Sequence, residues 1–195
     1  QRMVRSETGT SGVMFSIDTE SGFDEVVFVT ASYGLGEMVV QGAVNPDEFY
    51  LSKVLLEQGR PAVIRRNLGS KHKKMIYGDE GSTTKSTKIV DVEKNERNQF
   101  ALNSDELINL GKQAMIIEKH YGQPMDIEWA KDGDTGEIFI VQARPETVKS
   151  RQDKGVMERY VINSKGEKIL CEGRSIGQRI GAGKVRIVHN LAEMS

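Results

Sequence analysis

Asp126, Glu128, Gln142 and Arg144 fall within the single stretch PMDIEWAKDGDTGEIFIVQARPET, residues 124–147, and offer two carboxylates, an amide oxygen and a guanidinium fork. Mg²⁺ takes hard oxygen ligands from one or two carboxylates and completes its shell with substrate phosphates and water. Arginine meets phosphate oxygens with two parallel N–H donors. These residue types together fit a nucleoside triphosphate with its metal.

Such chemistry requires the four groups to converge, and the local pattern supplies a means. Successive side chains of a strand point to opposite sides of the sheet. Ile127 and Trp129 therefore share one face of a first strand, and Asp126 and Glu128 the other. In the second strand strict alternation groups Phe139, Val141 and Ala143 on one side and Ile138, Ile140, Gln142 and Arg144 on the other. Between the strands, Asp132-Gly133-Asp134-Thr135-Gly136 is a strong turn signal, because Gly and Asp tolerate the backbone angles of tight turns. Pairing Glu128 with Ile140 sets Asp126 opposite Gln142, and the polar groups meet. The alternative is the solvated outer face of an edge hairpin. A solvated face usually mixes Lys, Thr and Ser, whereas this one offers two hard carboxylates, an amide oxygen and an arginine fork.

The remaining elements follow from hydrophobic periodicity. Residues 11–17 and 24–32 read as buried strands, separated by a turn at 21–24. Three glycines and Asn45-Pro46-Asp47 break residues 33–53 into loop, brief element, loop and strand. Residues 61–71 and 73–78 read as further strands, followed by a polar surface loop at 78–87. The run Lys71-His72-Lys73-Lys74 is expected as a solvated strand end that could also attract an anionic nucleotide. The clearest helix spans 104–121, where Leu107, Leu110, Ala114, Ile117 and Tyr121 form one apolar stripe. Asn103 is its expected N-cap with Glu106 as capping-box partner, and Gly122 followed by Pro124 ends it. Strands, one long helix and a hairpin give an α+β class.

Bulk properties narrow the function classes. The chain has 195 residues, 28% of them charged, and a formal net charge of −1. Nucleic-acid binders normally show a basic excess, so none is expected as a partner. Cys171 is the single cysteine, which suits a reducing cytoplasm rather than a disulfide framework. No apolar run reaches the length of a membrane span, and no signal peptide is recognisable. The ends, Gln1-Arg2-Met3-Val4 and Glu193-Met194-Ser195, read like those of a piece of something longer.

Other motifs fail on inspection. The loop at 78–87 lacks the glycine that a phosphate-binding P-loop places before its lysine. Gly34-Leu35-Gly36 lacks the third glycine of the dinucleotide fingerprint, where Val39 stands. His72, His120 and His189 show no metal-ligand spacing with Cys171 or one another. His120, at a helix end, suits the helix dipole.

With these residues in view the chain resembles the phosphoenolpyruvate synthases, the pyruvate, water dikinases, within the wider group that includes pyruvate phosphate dikinases and rifampin phosphotransferases. The resemblance covers nearly the whole chain. It is carried by SGVMFSIDTESGF (11–23), YGLGEMVVQGAVNPDEFY (33–50), EKHYGQPMDIEWAKDG (118–133) and IVQARPETV (140–148).

The resemblance implies an ATP-grasp fold, with residues 1–148 as its C-terminal subdomain, 149–168 as a linker and 169–195 as the start of a swivelling phosphohistidine domain. It implies Mg²⁺ as cofactor and ATP as substrate. Glu128 and Gln142 match the family's metal and phosphate ligands, with Asp126 and Arg144 at neighbouring phosphate positions. Arg144 would be the catalytic group, stabilising charge on the transferred phosphoryl. Gln1, Met3 and Val4 match the hinge strand that contacts adenine, Met3 as an apolar contact. Glu37 is a further candidate, either as a ligand or as a group orienting the glycine loop. The activity implied is conversion of ATP, pyruvate and water to AMP, phosphoenolpyruvate and phosphate through a phosphohistidine, with pyruvate bound by domains outside this chain. The phosphohistidine motif is expected beyond Ser195, and His189 lies in the wrong context for it. The isolated chain is expected to be inactive; a homo-oligomeric parent is left open. Two other readings compete: the nucleotide module of a rifampin-type phosphotransferase, and a stand-alone nucleotide-binding regulatory module.

Overall fold

The computed structural model describes residues 3–78 and 87–147, with Gly181, Gly183, Lys184 and Ile187. Contacts divide the chain into a unit of residues 1–158 and a second of 159–195, and every helix and strand of the described residues belongs to the first. The expected surface loop tip at 79–86, the linker and Gln1 lie outside the described residues, as does the expected further domain apart from those four positions.

Six strands form the main sheet: β1 (Thr10–Phe15), β2 (Val26–Tyr33), β3 (Asp47–Ser52), β4 (Val63–Asn67), β7 (Met125–Lys131) and β8 (Ile138–Pro145). Their spatial order is β4-β3-β2-β1-β7-β8, with every pair antiparallel. β5 (Lys73–Tyr77) and β6 (Thr87–Asp91) make a separate antiparallel hairpin. Short helices α1 (Glu37–Val40), α2 (Lys53–Glu57) and α3 (Lys94–Arg97) decorate the connections, and α4 (Ser104–Tyr121) is the long one. The result is a mixed α and β architecture on antiparallel sheets, as expected. Periodicity did not reveal β6, α2 or α3, which are short and carry no full amphipathic repeat.

α4 forms where its caps and stripe say it should. The Asn103 side chain accepts from the Glu106 N–H at 3.0 Å while Glu106 accepts from the Asn103 N–H at 2.8 Å. Gly122 ends the helix in the left-handed region at φ 68°, which costs a residue without a Cβ little. Leu107, Leu110 and Ala114 are buried against Val27, Val29, Phe49, Leu51, Ile127 and Trp129, the inward residues of β2, β3 and β7. Ile117 is only partly buried and Tyr121 is exposed, so the stripe fades toward the helix end. Gly111 lets the helix approach closely, since a Cβ there would lie 2.8 Å from Leu56 Cδ1 and 3.0 Å from Leu51 Cδ2. The opposite face of the sheet carries no part of α4; there the short α1 approaches β1, where a Cβ on Gly36 would lie 3.6 Å from the Ser11 side chain.

That open face holds one continuous cross-strand row. Arg144 lies opposite Asp126, Asp126 opposite Phe15, Phe15 opposite Phe28, Phe28 opposite Tyr50, and Tyr50 opposite Arg65. The rings are in contact, with centroids 6.3 Å apart for Phe15 and Phe28 and 4.8 Å for Phe28 and Tyr50. The Arg65 guanidinium sits 5.6 Å above the Tyr50 ring.

The Lys71 to Lys74 run is not the solvated end that its charge suggests. Lys71 is fully buried, with its ammonium on the Asp47 carboxylate and on the Gly69 carbonyl at 3.1 Å. Asp47 also accepts the N–H groups of Gly69 and Ala101, each at 2.8 Å, and so ties three segments together. A buried ammonium is tolerated only when paired, and this pair holds Lys71 at φ 39°, a region that lysine rarely occupies. Lys74 pairs with Glu96 at 3.1 Å and lies 5.8 Å from the centre of the Tyr33 ring. The Tyr33 hydroxyl donates to the Glu96 carbonyl at 2.8 Å, and burial pushes its pKa up to about 12. Of the run, only His72 and Lys73 are exposed.

Candidate functional site

The hairpin of β7 and β8 forms, but its register differs from that set by strict alternation. Asp126 faces Arg144, Ile127 faces Ala143 and Glu128 faces Gln142, whereas Trp129 faces Ile140. Val141 is left over as a β-bulge. A bulge adds one residue to one strand, and a one-residue step turns every later side chain to the other face. Ile138 and Ile140 consequently pack on the core together with Ala143 rather than sharing a side with Gln142 and Arg144. The polar groups still converge, in pairs different from those expected. Side chains directly opposite across antiparallel strands have Cβ atoms about 4.5–5.5 Å apart, so Glu128 and Gln142 can grip one ion between them.

The turn closes as its residues demand. Asp132 accepts the N–H groups of Asp134 at 3.0 Å and Thr135 at 2.9 Å on one oxygen, and Gly136 takes φ 74°. The Asp132 carboxyl is held below its ordinary pKa of 3.8, first by the Thr135 N–H and then by that of Arg5.

A cavity of about 570 Å³ gathers four of the expected residues from separate elements: Met3, Val4, Glu37 and Glu128. Its other walls include Ser11, Leu35, Val40, Tyr77 and Val141. Met3 is 75% exposed, Val40 55%, Val141 43% and Tyr77 40%, so four large apolar groups stand half-bare around one opening. Apolar side chains clustered this way mark a surface meant to be covered. Glu128 and Glu37 each bring a carboxylate to the cavity wall. Glu37 does not reach the glycine loop; its carboxylate accepts from the Gln41 amide at 2.8 Å, one turn along α1.

Asp126 and Arg144 line a neighbouring cavity of about 550 Å³ with Phe15, Thr19, Pro145, Glu146 and Thr147. Arg144 Nε and Nη2 both reach the same Asp126 oxygen, at 2.8 and 2.7 Å. This pairing, more than the nearby Glu128, raises the guanidinium pKa. Gln142 is exposed beside both cavities and lines neither. Among the described residues no group of three or more His, Cys, Asp or Glu is arranged to hold a metal. One carboxylate and one amide oxygen suit a hard cation that takes most of its ligands from phosphates and water.

Sequence reasoning missed Leu35, Val40, Tyr77 and Val141 as walls of the cavity. Leu35 and Val40 lie inside the glycine-rich string, but nothing local aims them outward. Tyr77 arrives on a hairpin that is docked by the Leu35 N–H donating to the Met75 carbonyl at 2.9 Å, a contact between distant parts of the chain.

Residues 1–164 match the family model described as pyruvate phosphate dikinase, AMP/ATP-binding domain. Over its full length the chain is 67% identical to a phosphoenolpyruvate synthase of Pseudomonas aeruginosa and 61% identical to one of Escherichia coli, covering 24% of each. It is also 34% identical to a probable phosphoenolpyruvate synthase of Methanocaldococcus jannaschii, covering 15% of that protein. The chain thus spans about a quarter of the length of the bacterial relatives it matches. Among the described residues no helix is long and apolar enough to cross a membrane. The match of this model to residues 1–164, most of the chain, places the chain in the pyruvate phosphate dikinase AMP/ATP-binding domain family.

Proposed function

We propose that this chain forms one wall of the Mg-ATP site of a phosphoenolpyruvate synthase. The single observation that carries the proposal is the cavity joining Met3 and Val4 to Glu128, with Gln142 directly opposite Glu128 on the next strand. The parent enzyme would convert ATP, pyruvate and water to AMP, phosphoenolpyruvate and phosphate by way of a phosphohistidine. Residues 1–148 would be the C-terminal subdomain of an ATP-grasp unit, 149–168 a linker, and 169–195 the start of the phosphohistidine domain. The whole would work in the cytoplasm.

Phosphoryl transfer leaves a protein little covalent work, so the roles here are positioning and charge. Met3 and Val4 would take the base, a role the resemblance extends to Gln1. Glu128 and Gln142 would hold Mg²⁺, which neutralises phosphate charge when bound. Arg144 would stabilise charge on the transferred group. Asp126, already paired with Arg144, would aim that guanidinium rather than bind the anion itself, since a carboxylate repels phosphate. The test is Glu128→Ala in the full-length enzyme. It should abolish conversion of ATP to AMP in the first half-reaction, and near-normal conversion would refute the assignment.

A further inference from the structure

Asp132 is 3% exposed, and its two oxygens receive three backbone N–H groups. Two belong to its own turn, from Asp134 and Thr135; the third comes from Arg5, 3.1 Å away and distant in the chain. The Gly133 N–H in turn donates to the Arg5 carbonyl at 3.0 Å. Consecutive residues of the hairpin turn therefore grip both backbone groups of Arg5. No other residue type fits at Gly133, because a Cβ would stand 2.3 Å from Thr8 Oγ1 and 2.4 Å from the Thr8 carbonyl carbon. The Arg5 side chain is 57% exposed and pairs with Glu7, so the hydrogen bonds of this grip come from its backbone.

Just before the gripped residue lie Met3 and Val4, which line the larger cavity; just before the gripping turn, on the same strand, lies Glu128. The turn thus ties the segment that carries Met3 and Val4 to the strand that carries Glu128, with the Asp132 carboxylate taking the Arg5 N–H and the Gly133 N–H reaching the Arg5 carbonyl. All three partners of that carboxylate are donors, so the group must be an acceptor on both oxygens. An extended segment without such an anchor would have to be ordered on binding, at a cost in affinity.

We propose that Asp132 is a positioning residue that sets affinity for the nucleoside end of the ligand without touching it, while the polyphosphate end is held independently. This rests on the nucleotide reading above. The experiment measures binding of Mg-ATP and of Mg-tripolyphosphate, which has no base, to the full-length enzyme carrying Asp132→Ala or Asp132→Asn. Ile108→Ala, on the core side of α4, serves as a control for general loss of stability. Asp132→Ala should raise the Kd for Mg-ATP about tenfold, the worth of a charge-assisted hydrogen bond, and leave that for tripolyphosphate within about twofold. Asp132→Asn keeps one acceptor and should show a smaller loss in the same selective direction. Equal weakening of both ligands, or of neither, overturns the positioning role, as does selective weakening by Ile108→Ala. A wild-type enzyme that binds tripolyphosphate no more weakly than ATP would overturn the nucleotide reading itself.

Discussion

Breaking the buried pair of Asp47 and Lys71 should reveal how the loop at 68–72 is held, and the two halves of the pair should not cost the same. Removing one partner of a buried ion pair typically costs about 3–5 kcal/mol, because the other charge is left without compensation. In Lys71→Met the orphaned carboxylate keeps two N–H donors, from Gly69 and Ala101. Its cost belongs near the lower end, about 3 kcal/mol. The backbone strain at φ 39° is common to lysine and methionine and cancels in the comparison. In Asp47→Ala the ammonium keeps only the Gly69 carbonyl. Two buried N–H groups are orphaned as well, at about 1–3 kcal/mol each, so the total lies at or above the top of the range. Against a domain stability of about 5–15 kcal/mol, that variant approaches unfolding. Thermal and urea unfolding followed by circular dichroism would measure both. Lys71→Met should lower Tm by about 6–12 °C, at about 2–4 °C per kcal/mol for a domain of this size. The double variant Asp47→Asn with Lys71→Met should recover part of the loss, and added salt should leave the effect unchanged, since buried pairs are poorly screened. A Lys71→Met variant within about 1 kcal/mol of wild type, or a cycle with no coupling, would refute the reasoning.

The isolated chain should show no synthase activity and only weak binding of Mg-ATP; isothermal titration giving a low-micromolar dissociation constant would contradict this. Arg144→Ala in the full-length enzyme should slow ATP-to-AMP conversion by about 10²–10³-fold, and Arg144→Lys should recover little, because an ammonium cannot reproduce the fork that now grips Asp126; rates within about threefold of wild type would remove Arg144 from the catalytic group. Acid should destabilise the hairpin turn: the folded Asp132 carboxyl titrates below its ordinary 3.8, so its contribution is complete above that value and is lost as the pH falls through the lower, folded one. Asp132→Asn should flatten this part of the acid limb, and an unchanged pH profile of unfolding would argue against it.

The elements that position the candidate site were legible wherever a short-range rule governs them. The caps of α4, the turn after Lys131 and the apolar stripe each involve neighbours within a few residues, and alternation correctly set Asp126 and Glu128 apart from Ile127 and Trp129. What could not be read depends on partners distant in the chain. Lysine at position 71 looks solvated until Asp47 is brought beneath it. Tyr77 looks like the end of a surface strand until its hairpin docks on the glycine loop. The pairing of Glu128 with Gln142, and of Asp126 with Arg144, was hidden by the bulge at Val141, for which the sequence offers neither glycine nor proline as a marker.

That bulge also bears on which changes of length this hairpin can survive. Because the pleat repeats every two residues, losing one residue from a strand ordinarily exchanges its buried and exposed sets. Removal of Val141 would do the reverse: Ile138, Ile140 and Ala143 would then alternate regularly with Phe139, Gln142 and Arg144, each already in its proper phase. The ladder by itself therefore has no use for the extra residue. Natural chains that lack it would keep the hairpin and the pairings of Glu128 with Gln142 and of Asp126 with Arg144 but lose one wall of the cavity, so length variation at this single position would track what the cavity holds and leave the fold unchanged.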